Sequence, residues 1–147
     1  MYNLAKRRLK MCAAQDKFDE FLGRMKLLSL GVLRNNLPYC CSAFYAYDPQ
    51  NKELIIASAS DSEHIKAVFA NRGVAATVAL DTKFVGRIKG VQICGHIRSA
   101  DERETSLYLK RFPFARAMET DFFTIRIDWM KMTDNTLTFG KKLIWER

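Results

Sequence analysis

Residues 37–48 read LPYCCSAFYAYD, a run in which aromatic and small residues surround two adjacent cysteines. Such a run is typical of a β-strand, in which successive side chains point to opposite faces. One predicted face carries Tyr39, Cys41, Ala43, Tyr45 and Tyr47, and the other carries Cys40, Ser42, Phe44 and Ala46. Because Cys40 and Cys41 point apart, they cannot jointly bind one metal ion or readily form a disulfide with each other. We interpret them as core or interface thiols and not as a redox dithiol.

The segments around this run also read mainly as strands. Residues 31–60 predict strands separated by turns at Asn35-Asn36 and at residues 48–51. Further strands are predicted within residues 73–80, 85–99, 121–132 and 136–147. There is no internal repeat, low-complexity tract or long linker. The strands outnumber the helices, which indicates a mainly β protein with helices (α+β), built as a barrel or sandwich.

Three helices are predicted between the strands. Apolar residues at helical spacing mark residues 16–29, with Gly31 as the predicted stop. Residues 60–63 (SDSE) have the form of a capping box, with Ser60 predicted to cap the helix that follows. Residues 99–102 (SADE) have the same form and predict a helix to about Lys110.

The length of 147 residues, 48% of them apolar, indicates one domain. We predict a basic N-terminal arm or helix start over residues 1–15 and a single domain over residues 16–147. The apolar stretches are short and broken by charges, and no long apolar segment follows the basic start, so neither a membrane span nor a secretory signal is expected. The four cysteines show no disulfide-framework spacing. These features favour a cytoplasmic protein.

The net charge of +8 comes from 24 basic and 16 acidic residues. Such an excess attracts nucleic acid, anionic membranes or phosphorylated small molecules. The one dense basic cluster is KRRLK at residues 6–10, and we interpret it as a solvated arm. Nucleic-acid binding stays a weaker alternative, because no zinc-finger spacing or ribonucleoprotein aromatic motif accompanies the cluster.

Residues 92–96 (QICGH) raise the question of a metal or nucleophile site. Strand alternation places Gln92, Cys94, His96 and Arg98 on one face. Cys94 and His96 could be two metal ligands or a thiolate–imidazole pair. A structural zinc normally needs four ligands, and the only other histidine is His64. We therefore predict no metal site and interpret this strand as having one apolar and one polar face.

The order of these segments resembles the FMN-binding split barrels, the superfamily of pyridoxamine 5′-phosphate oxidase. The resemblance is carried by LPYCCSAFYAYD (37–48), ELIIASASDSEHIKAVFANRGVAATVAL (53–80) and GVQICGHI (90–97). The closing segment TDNTLTFGKKLIW (133–145) is similar to the tail of a small bacterial branch of that superfamily. The resemblance covers roughly residues 21–145. It implies a split β-barrel that forms a homodimer, with FMN or a related flavin or deazaflavin bound between the subunits.

The resemblance also implies cofactor-binding residues. Ser58, Ser60 and His64 would face the phosphate, where the third strand runs into a short helix. A helix N-terminus with hydroxyl and imidazole donors suits an anion, although Asp61 and Glu63 could satisfy the same helix end, which leaves simple capping as the alternative. The other residues expected near the cofactor are Lys89 and Gln92 on a long strand, and Asn135, Lys141, Lys142 and Trp145 in the tail. The alternative for this second set is exposed strand lysines and a core tryptophan.

The resemblance stops short of the oxidase itself. The oxidase binds FMN with basic residues on its second strand, where this chain reads CCSAFYAYD, and its Arg-Leu-His-Asp-Arg substrate run is also missing. Pyridoxamine phosphate oxidation is therefore not expected, and no catalytic residue is assigned. The sequence favours a flavin-binding oxidoreductase acting on an unidentified small molecule. A non-catalytic ligand-binding or sensing dimer is the main alternative.

Overall fold

The computed structural model describes residue 15, residues 17–136 and residues 142–147. Most of the predicted basic arm, together with Cys12 and Lys141, lies outside the described residues. The first helix, α1, is described over residues 17–24. The later elements are β1 (Leu27–Arg34), β2 (Leu37–Asp48), β3 (Glu53–Ser58), α2 (Glu63–Ala70), β4 (Gly73–Ala79), β5 (Lys89–Ser99), α3 (Glu102–Arg111), β6 (Asp121–Asp134) and β7 (Lys142–Glu146). Short 3-10 turns occupy Val85–Arg87 and Pro113–Ala117.

The strands form a closed antiparallel barrel. Its strand order is β3-β2-β1-β4-β5-β6, and β6 pairs back onto β3 to complete the ring of six. The first half of β6 pairs with β3, whereas its second half pairs with β7, which lies beside the barrel as a seventh strand. Closure leaves no free sheet edge in the ring. The predicted class, a mainly β split barrel with helices, is confirmed.

The barrel interior is the main core. Alternate side chains of each strand fill it, as a period of two requires. Phe18, Phe21 and Leu22 from α1 are fully buried in the same cluster, so the helix contributes to this core. The Tyr45 hydroxyl donates to the Leu22 carbonyl at 2.8 Å and joins β2 to α1. A second, smaller cluster lies where α3 packs against Ala46 and Ile55.

The predicted faces of β2 are confirmed. Tyr45 and Tyr47 are buried, and Cys41 packs against the same core. Cys40 lies on the opposite, exposed side. Burial, and then the neighbouring Cys40, raises the pKa of the Cys41 thiol, which keeps it in the unreactive protonated form. The two thiols are therefore a feature of the strand.

The first predicted helix ends earlier than expected. Its helical spacing was extended to residue 29, but α1 ends at residue 24 and β1 begins at Leu27, so Gly31 lies inside a strand and stops no helix. Leu28, Leu30 and Val32 alternate in burial and pair with β2, which overrides the helical spacing. The Arg111 guanidinium donates to the Gly23 carbonyl in the last turn of α1 and to the Met25 carbonyl just beyond it. The donor for this helix end thus comes from a side chain 86 residues after Met25 in the sequence.

Two further predictions need correction. The helix α3 is present, but its capping box joins Asp101 to Glu104 and does not start at Ser99. Each of these two side chains accepts a hydrogen bond from the other residue's backbone N–H at 2.8 Å. The strand predicted over residues 85–99 begins only at Lys89, after a 3-10 turn.

None of the helices among the described residues is long and apolar enough to cross a membrane.

Candidate functional site

Three polar side chains converge where β3 ends and α2 begins. The Ser58 Oγ lies 2.8 Å from the His64 Nε2 and 3.2 Å from the Ser62 Oγ. The Ser62 Oγ lies 3.3 Å from the same imidazole nitrogen. Ser58 is the last residue of β3, and His64 is the second residue of α2, so the turn between them folds the three groups together. We call Ser58, Ser62 and His64 the serine–histidine corner.

The N-terminus of α2 is open toward this corner. Ser62 is the N-cap residue, yet its side chain makes no capping hydrogen bond to the helix backbone. The first N–H groups of a helix have no partner within the helix and carry a partial positive charge. With the hydroxyl turned toward Ser58 and His64, these N–H groups remain available to an anion.

The acidic residue of the first helical turn is held away from the corner. The Arg34 guanidinium binds the Glu63 carboxylate through both Nε and Nη2 at 2.8 Å, and Lys66 lies 3.5 Å from its other oxygen. The hydrogen bond from Arg34, and then the charge of Arg34, lowers the pKa of Glu63. A carboxylate engaged in this way is not free to satisfy the helix end, which weakens the capping alternative as far as it rests on Glu63.

The imidazole of His64 is partly buried, and this burial lowers its pKa. The ring is therefore mostly neutral at neutral pH. A neutral imidazole donates from one nitrogen only, whereas a protonated one donates from both. An anion at the corner would favour the protonated form.

Ser60 does not belong to the corner. Its hydroxyl donates to the Asp121 carboxylate at the start of β6. The predicted capping box over residues 60–63 is also wrong, because α2 starts at Glu63 with Ser62 as its N-cap. Ser62 was missed by the sequence analysis. Its position three residues before Ile65, the first apolar residue of the helix, was the available signal.

An apolar groove of about 540 Å³ adjoins the corner. One wall comes from β1 and β2, with Leu27, Ser42 and Phe44, and the other comes from the turn after α3, with Phe114 and Met118. Ser58 lines the same groove. Half of the Phe44 surface and 60% of the Phe114 surface are exposed, so flat apolar area is available to a ligand. The residues of the second wall carried no sequence signal.

The other predicted cofactor residues lie far from the corner in the same chain. Ser58 pairs with Asp121, and Lys89 pairs with Asp134, at opposite ends of β6. Thirteen residue steps of β6, at a rise of about 3.3 Å each and interrupted by one bulge, lie between these pairs. The predicted residues at this other end of β6, which we call the far group, are therefore not brought to the corner of the same chain.

Each described member of the far group has its own surroundings. Lys89 forms an ion pair with Asp134 at 3.2 Å, and Asn135 donates from its side chain to the Val85 carbonyl at 3.1 Å. Gln92 is exposed on the outer face of β5, and Lys142 is exposed at the start of β7. Trp145 is half-buried and packs against the main core. Lys141 lies outside the described residues.

The polar face predicted for β5 is confirmed. Cys94 and His96 are exposed, and the His96 Nδ1 lies 2.5 Å from a carboxylate oxygen of Asp128. Asp128 is the extra residue of a bulge, since Cys94 pairs with Trp129 and Gly95 pairs with Ile127. In the part of the chain that the structure describes, no three His, Cys, Asp or Glu side chains are grouped so as to hold a metal ion.

The amino-acid sequence of this chain is similar to that of known bacterial proteins. No family model matches the chain. It is 38% identical over 138 residues to a UPF0306 protein of Cronobacter sakazakii, which covers 91% of this chain and 96% of that protein.

Solved structures share the barrel at low identity. A heme binding protein from Mycobacterium smegmatis matches with a TM-score of 0.77 and 9% identity, covering 90% of this chain and 57% of that one. An FAD-binding protein from Mesorhizobium loti matches with a TM-score of 0.64 and 18% identity, covering 76% of this chain and 87% of that one. These likenesses show a fold on which other proteins bind flat cofactors.

Proposed function

This chain belongs to the UPF0306 family, and from its barrel and serine–histidine corner we propose that it binds FMN, with the phosphate at the corner. The observation that carries the proposal is the convergence of Ser58, Ser62 and His64 within 3.3 Å at an open helix N-terminus. Hydroxyl groups, an imidazole and helix N–H groups are the donors that a phosphate accepts from. The donor set therefore fits a phosphate monoester.

The groove beside the corner supports the same ligand. Phe44, Phe114 and Leu27 offer apolar surface for a flat ring in a groove that Ser58 of the corner also lines. Ser42 adds a hydroxyl to the same lining. Two solved proteins of this fold are described as binding haem and FAD, which supports a flat cofactor in general. Among flat cofactors, a flavin monophosphate suits this chain best, because the corner offers its donors to a single phosphate group.

A second copy of the chain completes the site in this proposal. The outer faces of β1, β2, β4 and β5 pair small uncharged residues across the sheet, with Gly31 opposite Cys40 and Ala75 opposite Cys94. Such a face allows close approach of another backbone. A symmetric dimer would bring Lys89, Gln92 and the β7 end of one subunit toward the corner of the other.

When bound, a flavin would supply reversible one- or two-electron chemistry. The residues of this chain would hold its phosphate, orient the ring in the groove and exclude water from one ring face. We infer an oxidoreductase for a small molecule from this arrangement. Reduction of the bound flavin by NADH or NADPH, followed by absorbance, is the expected result. Bound flavin that no nicotinamide donor reduces would instead support the ligand-binding alternative.

The experiment that tests the phosphate position compares FMN with riboflavin. Riboflavin lacks the phosphate, and losing two or three charge-assisted hydrogen bonds of about 1.5–3 kcal/mol each should weaken binding at least tenfold. Ser58→Ala should weaken FMN binding and leave riboflavin binding nearly unchanged. Titration of flavin fluorescence measures both affinities.

Ser60→Ala is the matched control, because Ser60 binds Asp121 and does not face the corner. We expect it to bind FMN as the unmodified protein does. Equal affinities for FMN and riboflavin would refute the phosphate assignment. Binding of neither flavin would refute the proposed function, and a steeply salt-dependent affinity for DNA or RNA would then favour the nucleic-acid alternative.

A further inference from the structure

A group of charged side chains lies where the start of α3 packs on the barrel. Its centre is formed by two glutamates, Glu53 of β3 and Glu104 of α3, which are 7% and 1% exposed. Arg98 of β5 donates to both through the same Nη2 atom, at 3.2 Å to Glu53 and 2.6 Å to Glu104. Two buried carboxyl groups thus share one guanidinium.

The two glutamates differ in how many donors they receive. Glu104 accepts from Arg98 through two nitrogens, at 2.6 and 2.9 Å, and from the Asp101 backbone N–H and the Thr124 hydroxyl, each at 2.8 Å. Both oxygens of Glu104 are therefore satisfied. This set of donors favours the ionised carboxylate.

Glu53 accepts far fewer hydrogen bonds than Glu104. Its Oε1 accepts the single bond from Arg98, and its Oε2 is buried with no hydrogen-bond partner among the described residues. The nearest cationic nitrogen to Oε2 belongs to Arg103, at 3.6 Å. A buried oxygen without a donor is costly as part of a carboxylate, but a proton on it turns the group into a donor itself.

Three carboxyl groups, those of Asp48, Glu53 and Glu104, share the two guanidinium groups that lie within ion-pair distance of them in the described part of the chain, those of Arg98 and Arg103. The groups facing it are Asp48 of β2, Arg98 of β5, Arg103 and Glu104 of α3, and Arg126, its register partner on β6. Arg103 is engaged mainly by Asp48, at 2.7 Å, and Arg126 lies 4.0 Å from Asp128. Arg98 is thus the one guanidinium among the described residues that hydrogen-bonds both Glu53 and Glu104, whereas Arg103 lies 3.6 Å from Glu53 and 3.8 Å from Glu104.

We propose that Glu53 keeps its proton in the folded protein, and that this proton acts as a pH-sensitive latch holding α3 on the barrel. Burial, and then the charge of Glu104, raises the pKa of Glu53. Burial opposes ionisation of Glu104 as well, but its hydrogen bonds from Arg98, Asp101 and Thr124 prevail and lower its pKa to about 2. The pair therefore carries one charge and one proton.

The latch acts on the candidate binding groove. Tyr108 of α3 lines the groove, and so do Ala115 and Met118, which follow α3. Loss of the proton places a second negative charge beside Glu104, and that repulsion loosens α3 and this wall. The inference stands on the charged cluster alone and does not depend on which ligand the groove takes.

The folding equilibrium constant of the full-length protein, measured between pH 5.5 and 9, tests whether folded Glu53 carries a proton. Unfolded Glu53 is ionised in this range, whereas folded Glu53 is protonated until its raised pKa is passed. The folding equilibrium constant should therefore fall with rising pH, by up to tenfold per pH unit, and level off above that pKa. Glu53→Gln keeps a hydrogen-bond donor on this side chain and cannot ionise. This variant should lack the part of the fall in the folding equilibrium constant that ionisation of Glu53 causes.

The difference between the two pH curves isolates Glu53, because contributions from His64 and the cysteines cancel in it. Glu63→Gln is the matched control, since Glu63 is exposed and its lowered pKa leaves it ionised throughout this range. Parallel curves for wild type and Glu53→Gln would overturn the proposal. If the variant does not fold, carbon-13 NMR of the wild-type Glu53 carboxyl decides, and a carboxyl that is already ionised in the folded protein at pH 5.5 overturns the proposal.

Hydrogen exchange at one pH tests the latch itself. At pH 9 the α3 amides should exchange faster in the wild type than in Glu53→Gln, whereas amides of β1 should exchange alike in both. Equal α3 protection in the two proteins would show that the proton does not hold α3.

Discussion

At the scale of single residues, His64 distinguishes a phosphate site from a merely capped helix. Its Nε2 contacts two hydroxyls, and its ring is buried enough to lower its pKa. If the corner only capped the helix, protonation of this ring would not be needed for its role. A phosphate at the corner would favour the protonated ring and raise its pKa.

This difference predicts how FMN affinity depends on pH. The affinity should rise as pH falls from 8 toward 6.5 through the pKa of His64 in the complex, while the phosphate is still mainly dianionic. His64→Gln keeps a donor but cannot be protonated, so its FMN affinity should be flat over the same range. Fluorescence titrations at a series of pH values measure this. The same slope in both proteins would contradict a role for His64 charge.

At the scale of elements, the bulge between β5 and β6 sets local geometry that the strand pattern does not show. Gly95 borders the bulge and pairs with Ile127, the residue before Asp128, and a Cβ built at Gly95 would lie 2.1 Å from the Arg126 carbonyl oxygen. No real Cβ approaches a backbone oxygen so closely. The glycine thus allows β6 to bend inward and to present Asp128 to His96.

We therefore predict that Gly95→Ala destabilises the barrel by about 1–3 kcal/mol or more, because backbone must move to relieve the contact. Gly86→Ala is the control, since nothing lies within 4 Å of a Cβ at that position. It should change stability by no more than about 0.5 kcal/mol. Urea unfolding followed by tryptophan fluorescence compares the two, and equal midpoints would contradict this account of the bulge.

At the scale of the whole molecule, the barrel separates the predicted cofactor residues into two groups. Ser58 and His64 lie at one end, and Lys89 and Asn135 lie at the other, with nearly the full length of β6 between them. The dimer that we propose would join opposite ends of two chains and so bring both groups to one ligand.

Light scattering should accordingly report a mass near twice 16.9 kDa at micromolar concentration. Ala75→Arg places a charge in the small-residue face of β4 and should give a monomer with weaker FMN binding. Ser106→Arg adds the same charge on the exposed side of α3 and should stay dimeric. A monomeric wild type would remove the far group from the site and leave the corner and its groove as the whole of it.

The local pattern of the sequence was enough to predict most strands, the faces of those strands and the approximate positions of the helices. Alternation in residues 37–48 predicted which side chains of β2 share a face, because side-chain direction in a strand follows from backbone geometry alone. The same rule placed Cys94 and His96 together on the polar face of β5. The helix predicted over residues 16–29 was too long, because helical and strand spacings overlap where α1 gives way to β1.

Only the tertiary structure decided the composition of the candidate site. Ser58, Ser60 and Ser62 are equally spaced in the sequence, yet pairing of β3 with β6 brings Asp121 to Ser60 and leaves Ser58 and Ser62 for His64. Arg34 removes Glu63 from the same helix end across 29 residues. Closure of the barrel likewise places Lys89 far from Ser58. These contacts join residues distant in sequence, so their partners are set by the folded chain and by no local pattern.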